Sequence, residues 1–426
     1  MTKLDYDFLV GIDWAYEAHQ VCVLDRAGAV VAERVTAHSG AAITSLIDWL
    51  LDLAEGELSL IAVAIEVPRG ALVEMVLERG AAVYTINPKQ LDRFRDRHTV
   101  AGAKDDRRDA YVLADSLRTD LHLFRAVKND DPLVIQLREF SRLKDDLQEE
   151  LGRLSNRLRE QVYRFFPQLV ELCPAANEPW FWGLLELIPT PEKAKTARPA
   201  RVSKLLREHR IRRLSAQEVL DTARKTPVRV AAGTTEAARA HIALLLPRLR
   251  LVHSQLKESE KRIEAFLEQI GQPKEGEQDE GQKREHRDVE ILLSVPGIGI
   301  GFTATMLSEA GQAIADRDYQ ALRTQTGVAP VTRRSGKQKI VLRRYACKSR
   351  PANAMYHAAR VYSQADPHGR ELYRLHRQRG HSHGRALRSI GDRLLRILVA
   401  MLESDTLYDP NRFRRLPPGS AFQAAA

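Results

Sequence analysis

The sequence predicts an α/β domain at the amino end followed by a longer, mainly helical part. Three observations carry this reading. Over residues 1–125, short apolar runs alternate with helical patterns. Two long stretches with apolar residues at three- and four-residue spacing come next. From Val331 to Leu398 there are then 17 basic residues against three acidic ones, a net +14 that leaves −4 for the rest of a chain carrying +10 in all. A basic half-domain on a mildly acidic remainder points to a phosphate backbone as partner.

Taken in order, Phe8 to Ala15 reads as a buried strand ending near Asp13. Gln20 to Leu24 is a second strand, and a turn through Asp25-Arg26-Ala27-Gly28 leads into a third, Val30 to Thr36. Ala41 to Leu53 has helical periodicity. Leu60 to Val67 is another buried strand, with Glu66 near its carboxyl end and Pro68 closing it. A helix over Gly70 to Arg79, a strand over Val83 to Ile86 and a helix over Pro88 to Arg97 follow. Three antiparallel strands, then alternating helix and strand, make a ribonuclease-H-like arrangement.

Open α/β sheets gather ligands at the carboxyl ends of their strands. Asp13 and Glu66 are both placed there. In Lys104-Asp105-Asp106-Arg107-Arg108-Asp109, Asp106 and Asp109 stand three apart at the start of a helix that continues through Leu117. They share one face of its first turns. Acidic residues also suit a helix N-terminus, so dipole complementation explains that segment by itself. Four converging acids are different. Two like charges about 4 Å apart repel by roughly 4 kcal/mol at an effective dielectric of about 20. A divalent cation removes the conflict, and an all-oxygen set favours magnesium or manganese.

Asp131 to Phe166 is a long heptad-like helix (Leu137, Leu147, Leu151, Leu154, Leu158, Val162). Ala238 to Ile270 is a second, with Pro247 inside it, where a kink or a helix start is expected. An antiparallel pair and a dimerising coiled coil both fit. Between them Glu171 to Gly233 reads as irregular, with six prolines, Trp180 and Trp182. Residues 271–288 are polar and charged, a linker by composition.

Leu292 to Ser308 contains Pro296-Gly297-Ile298-Gly299, a helix-hairpin-helix signature. Gly297 and Gly299 let the backbone turn sharply, and their amides with the next helix N-terminus can hold a phosphate; a plain αα-hairpin is the alternative. Beyond it Ser335-Gly336 lies among Arg333, Arg334, Lys337 and Lys339, with Arg343 and Arg344 close behind. That composition reads as a loop. Its cations would stabilise charge at an attacked phosphodiester, and no local His makes a hydrolase triad. His381 and His383 lack the neighbours of a metal site. Ala386 to Leu402 is a final amphipathic helix.

Length and composition bound the rest. A chain of 426 residues suggests two to three domains. No run of 18 apolar residues and no signal-peptide pattern is present, so no membrane is expected and the cytoplasm, near the nucleoid, is the expected compartment. Cys22, Cys173 and Cys347 form no CxxC pair and support neither a disulfide framework nor structural zinc.

The ordered set Gly11-Ile12-Asp13-Trp14-Ala15, Ala64-Ile65-Glu66, Asn87-Pro88, Lys104 to Ala110, Pro296-Gly297-Ile298-Gly299 and Thr326-Gly327-Val328-Ala329-Pro330 leading to Ser335-Gly336 resembles transposases of the insertion-sequence one-ten family. The resemblance covers most of the chain. It implies a RuvC-like DEDD domain (1–125) and a carboxyl-terminal transposase domain (289–415); between them lie the long-helix, coiled-coil spacer (131–270) with its Pro-rich insertion (171–233) and the linker 271–288. It implies that Asp13, Glu66, Asp106 and Asp109 hold Mg2+ or Mn2+, and that Ser335 is the nucleophile; Thr332 and Ser349 are the fallback hydroxyls. Asp105 stands where the family commonly has Thr or Ser. The resemblance further implies DNA as substrate, a structured guide RNA, and a homo-oligomer, dimer to tetramer, whose active sites combine the DEDD domain of one subunit with the serine domain of another. The chain departs from relatives in its longer proline-rich segment and in a single serine where relatives often have a pair. The expected activity is cutting and rejoining of DNA through a metal site and a serine. A junction nuclease using water, and a non-catalytic nucleic-acid-binding protein, are the alternatives.

Overall fold

The computed structural model describes residues 6–67, 70–86, 88–98, 105–127, 131–272, 280–336 and 338–414. Lys104, Asn87, Pro68 and Lys337 lie outside them. The chain divides into two compact units, Met1–Asp131 and Pro132–Ala426.

The first unit is built on a six-stranded mixed sheet. Its elements are β1 (Phe8–Asp13), β2 (Ala18–Asp25), β3 (Val30–Ala37), α1 (Gly40–Leu53), β4 (Ile61–Ile65), α2 (Ala71–Glu78), β5 (Ala82–Thr85), α3 (Pro88–His98), α4 (Asp106–Asp120) and β6 (Arg125–Val127). The strand order is β3-β2-β1-β4-β5-β6. β1 pairs antiparallel with β2 and parallel with β4; β4 and β5 are parallel, and β6 closes the far edge antiparallel. β4 (Ile-Ala-Val-Ala-Ile) is buried at every position, as a parallel strand covered on both faces must be. β3, at the edge, keeps Glu33 and Arg34 among its residues and is largely exposed. β6 is one strand the apolar pattern did not announce, because it is only three residues long.

Alternation splits the core in two. Val10, Ile12, Val63 and Ile65 face α1 and α2. Leu9, Ala62 and Ala64 face α4. Small residues on that second face let α4 approach closely. A Cβ on Gly11 would sit 1.9 Å from the Ala110 carbonyl oxygen and 2.7 Å from the Ala114 nitrogen. Helix backbone therefore lies directly on strand backbone, and only glycine fits.

The second unit opens with α5 (Pro132–Tyr163), followed by short helices α6 (Pro167–Val170), α7 (Pro179–Leu187), α8 (Pro191–Thr196), α9 (Pro199–Glu208) and α10 (Ala216–Ala223), then α11 (Thr234–Ile270). The proline-rich segment expected to be irregular is thus mostly helical. Prolines occupy the first turns of α6, α7, α8 and α9, where the missing N–H costs nothing and the fixed φ favours the helix. Trp180 and Trp182 are fully buried and donate to Glu178 Oε2 (2.8 Å) and the Ala176 carbonyl (2.9 Å). The segment is core, packed with α5 and α11.

α5 and α11 pair antiparallel within the chain. Phe140 meets Phe266 (5.5 Å between centroids), while Glu150 faces Arg248 (3.9 Å) further along. α11 runs unbroken through Pro247.

The remainder comprises α12 (Glu280–Leu293), α13 (Ile300–Ala315), α14 (Tyr319–Gln325), β7 (Val331–Ser335), β8 (Gln338–Leu342), α15 (Ser349–Ala365), α16 (Pro367–Gln378), α17 (His383–Ser404) and α18 (Pro410–Arg414). The supposed linker is helical from Glu280. Asp288, buried within it, forms a two-pronged pair with Arg317 (2.5 and 2.8 Å). Leu137 of α5, Ile263 and Leu267 of α11, Val289 of α12 and Ala304 of α13 share one apolar cluster, which makes the long-helix pair and this helical part a single unit. No described helix is long and apolar enough to cross a membrane.

Replacing Gly11 with Ala forces α4 off β1. We expect destabilisation of about 3 kcal/mol, read as a lower thermal midpoint than that of a control substitution at exposed Tyr16.

Candidate functional site

The β1–β4 register runs from Phe8 opposite Ile61 to Ile12 opposite Ile65. One residue further, Asp13 ends β1 and Glu66 follows β4, level with each other on neighbouring strands about 4.8 Å apart. Both are half-buried. Asp13 alternates with Ile12 and so projects to the face covered by α4.

The other two predicted carboxylates belong to α4. Its N-cap is Asp105, whose side chain accepts from the Arg107 N–H (3.3 Å). That gives Asp105 a structural task of its own. Asp106 and Asp109 occupy the first turn, the former exposed and the latter 2% exposed. Ala110, next to Asp109, is the residue seated on Gly11, so the close approach also fixes where Asp109 lies.

Asp109 is engaged in a pair the sequence did not suggest. Arg95 of α3 grips it bidentately, Nε to Oδ1 at 2.7 Å and Nη2 to Oδ2 at 2.9 Å, and reaches Asp92 with Nη1 at 2.6 Å. Among the described residues no three His, Cys, Asp or Glu side chains are grouped closely enough to hold a metal ion. The donor chemistry suits a hard divalent cation at Asp13 and Glu66. Asp109 suits it once its oxygens leave Arg95. No local signal marks Arg95 among Arg93, Arg95 and Arg97, because its partner lies 14 residues away.

Beside Asp13, the β1–β2 connection carries an aromatic cluster. Trp14 lies 5.0 Å from Tyr16, 6.1 Å from His19 and 6.3 Å from His38. His19 Nε2 and His38 Nδ1 are 2.9 Å apart, and the Ala15 N–H donates to His19 Nδ1 (3.4 Å).

In the second unit, Ser335 is the last residue of β7 and pairs with Gln338 of β8. Gly336 turns the chain with φ +54°. The basic segment expected as a loop is therefore a hairpin. Every described residue from Thr332 to Leu342 is exposed, so both faces meet solvent. Arg333 stands opposite Ile340, and Arg334 opposite Lys339. Like charges facing each other across a ladder oppose its formation unless an anion joins them. Arg343 stacks on Tyr345 (5.2 Å). Arg344 instead donates through Nε to the Ala329 carbonyl (3.3 Å), tying the two ends of the hairpin.

The glycines of the αα-hairpin divide their roles. Gly297 (φ +90°) would put a Cβ 2.8 Å from the Tyr362 nitrogen, so it is needed for packing against α15. Gly299 caps α13 in open space.

The hairpin's exit is anchored to α5 and α13. Glu309 accepts from Arg142 Nε (3.0 Å) and Arg350 Nη1 (2.7 Å). Arg350 also reaches Asp145 (2.8 Å) and the Ser141 hydroxyl (2.6 Å), and Lys348 donates to the Glu309 carbonyl. On the other side Arg323 and Tyr319 both bond Asp392 of α17.

Two family models match the chain. One, described as a transposase, covers residues 10–167; the other, described as a transposase of the IS116/IS110/IS902 family, covers residues 289–374. The mini-circle putative transposase for IS117 of Streptomyces coelicolor is 30% identical over 413 residues, 94% of this chain and 95% of that one. This chain belongs to the IS110 family of transposases. The putative transposase y4uE of Sinorhizobium fredii is 50% identical over 209 residues, 48% of this chain and 58% of that protein. The IS110 uncharacterized 43.6 kDa protein of S. coelicolor is 27% identical across 97% of this chain. The first model spans the α/β unit's sheet from Val10 onward, and the second begins at Val289 and encloses the Ser335 hairpin. Transposases cleave and transfer DNA strands, so DNA is the partner of this transposase.

Burial disfavours ionised Glu309, but hydrogen bonds and charges from Arg142 and Arg350 outweigh it and hold the carboxyl below its ordinary range. Its stabilising contribution is complete above that range, about pH 4.3, and is lost as pH falls through the depressed value. Glu309→Gln is therefore expected to cost about 2 kcal/mol at neutral pH and to lessen the acid-induced loss of stability, both measured by denaturant unfolding across pH.

Proposed function

We propose that this transposase recombines DNA under the direction of a structured guide RNA, through a magnesium or manganese site on a RuvC-like sheet and a serine nucleophile. Asp13, Glu66, Asp106 and Asp109 would hold the cation, Asp109 exchanging Arg95 for it. When bound, the metal supplies Lewis acidity and orientation at a phosphate. The observation that carries this part is the parallel β1–β4 register, which sets Asp13 and Glu66 side by side at the strand ends with α4 over them.

Ser335 is the nucleophile in this reading. Its Oγ loses its proton and attacks the scissile phosphorus. The Oγ–P bond forms, the P–O3′ bond breaks, and a 3′ hydroxyl leaves. A 3′ hydroxyl of another strand then attacks the phosphoserine and restores the hydroxyl of Ser335. The ester conserves the bond, so no nucleotide cofactor is consumed. Arg333, Arg334, Lys337, Lys339 and Arg343 would neutralise the phosphate oxygens, which fits the unbalanced Arg334–Lys339 pair on an exposed hairpin. Gly299 and the first turn of α13 provide free amides for a backbone phosphate, in the manner of a helix-hairpin-helix. A hairpin open on both faces also suits a homo-oligomer, dimer to tetramer, closing on DNA.

The test is a trapping assay with full-length protein, Mg2+, element-end DNA and RNA transcribed from the element's flank, followed by denaturation and peptide mapping. We expect a covalent DNA adduct on Ser335 that Ser335→Ala and Asp13→Ala each abolish. Nicked DNA without adduct, persisting in Ser335→Ala, would replace this reading with a water-using nuclease.

A further inference from the structure

Tyr16 is 85% exposed, more than any other exposed large apolar or aromatic side chain among the described residues, and it follows Asp13 by three positions. Isolated exposed aromatics are common and carry no meaning alone. Tyr16 is not isolated. Trp14, half-buried, meets it edge-on at 5.0 Å and 64°. Trp14 in turn rests on His19, tilted by 31°, and on the edge of His38.

The support beneath these rings is fixed. His19 is completely buried. Its Nδ1 accepts from the Ala15 N–H, so its Nε2 carries the proton and donates to His38 Nδ1. Burial first, and then His38, lower the His19 pKa and keep this imidazole neutral. The connection that bears Trp14 and Tyr16 is thus pinned by a hydrogen bond to its own backbone and walled by two imidazoles. Tyr16 has few rotamers to lose, and its ring stands in water near the carboxyl end of β1, where Asp13 lies.

We propose that Trp14 and Tyr16 form a stacking platform for an unpaired base of the DNA strand whose phosphate lies at Asp13. The proposal rests on the reading of Asp13 as part of the cleavage site. Every base has a π-face, so such a platform accepts any of the four and positions the strand without reading its sequence. The phosphate lies toward Asp13 and the neighbouring base turns outward onto the rings. The acidic carboxyl ends of β1 and β4 repel the backbone, so a contact made through the base adds hold there without adding charge.

The test uses full-length protein with Mg2+, flank RNA and element-end DNA carrying 5-iododeoxyuridine at single positions around the cleavage point, and in parallel a single-stranded oligonucleotide of mixed sequence with the same label. Long-wave ultraviolet light joins the label to a stacked aromatic ring, and peptide mass locates the adduct. We expect an adduct on the peptide containing Trp14 and Tyr16. It should fall about tenfold in Tyr16→Leu and persist in Tyr16→Phe. Crosslinks confined to other peptides, or unchanged in Tyr16→Leu, overturn the proposal. Asp13→Asn separates the two readings. If it loses cleavage but keeps the adduct, both stand. If it cleaves like the parent protein, the cleavage-site reading falls, and the adduct on Tyr16 still decides whether the rings bind DNA.

Discussion

The contact between Gly11 and α4 governs the amino-terminal unit. A helix that touches a strand backbone to backbone has no freedom to slide, because the Ala110 carbonyl fills the space of the absent side chain. Asp13 lies two residues after Gly11, and Asp109 immediately precedes Ala110. The packing thus fixes where Asp109 lies relative to β1, and the β1–β4 register sets Glu66 beside Asp13. Arg95 balances the buried charge of Asp109, which would otherwise be costly to bury unpaired.

The second unit follows a different logic. Its proposed nucleophile sits on a two-stranded hairpin, which has little stability of its own. Rigidity comes from its roots. Arg350 and Glu309 fasten the exit to α5 and α13, Arg344 ties exit to entry, and a cluster of Tyr319, Arg323 and Asp392 holds α14 to α17. A hydroxyl delivered on such a device is well placed at its base and open at its tip, as a substrate the size of a duplex requires.

Much of the fold was legible in the sequence, for reasons that differ by element. β1 and β4 announced themselves as apolar runs, and Asp13 and Glu66 as the polar residues ending them. The heptad spacing of α5 and α11 gave the long helices, but periodicity could not choose between a partner chain and the same chain; Phe140 on Phe266 makes that choice. The proline-rich segment misled because prolines at first turns start helices as readily as they break them. Residues 280–288 read as a linker because composition does not show that Asp288 has Arg317 waiting in another helix. The hairpin around Ser335 escaped notice because a ladder exposed on both faces leaves no alternation to read. Of the candidate site, residue types and chain order were visible, while the Arg95–Asp109 pair and the ring cluster beside Asp13 were not, since both depend on contacts between separate elements.

The central claim is that packing of α4 on β1 assembles one divalent-cation site from Asp13, Glu66 and the first turn of α4. Titration of full-length protein with Mn2+, followed by electron paramagnetic resonance of the free ion, tests it most directly. The account predicts saturable binding that Asp13→Asn, Glu66→Gln and Asp109→Asn each weaken at least about tenfold, a loss of about 1.4 kcal/mol. Binding equal to that of the parent protein in all three would contradict it.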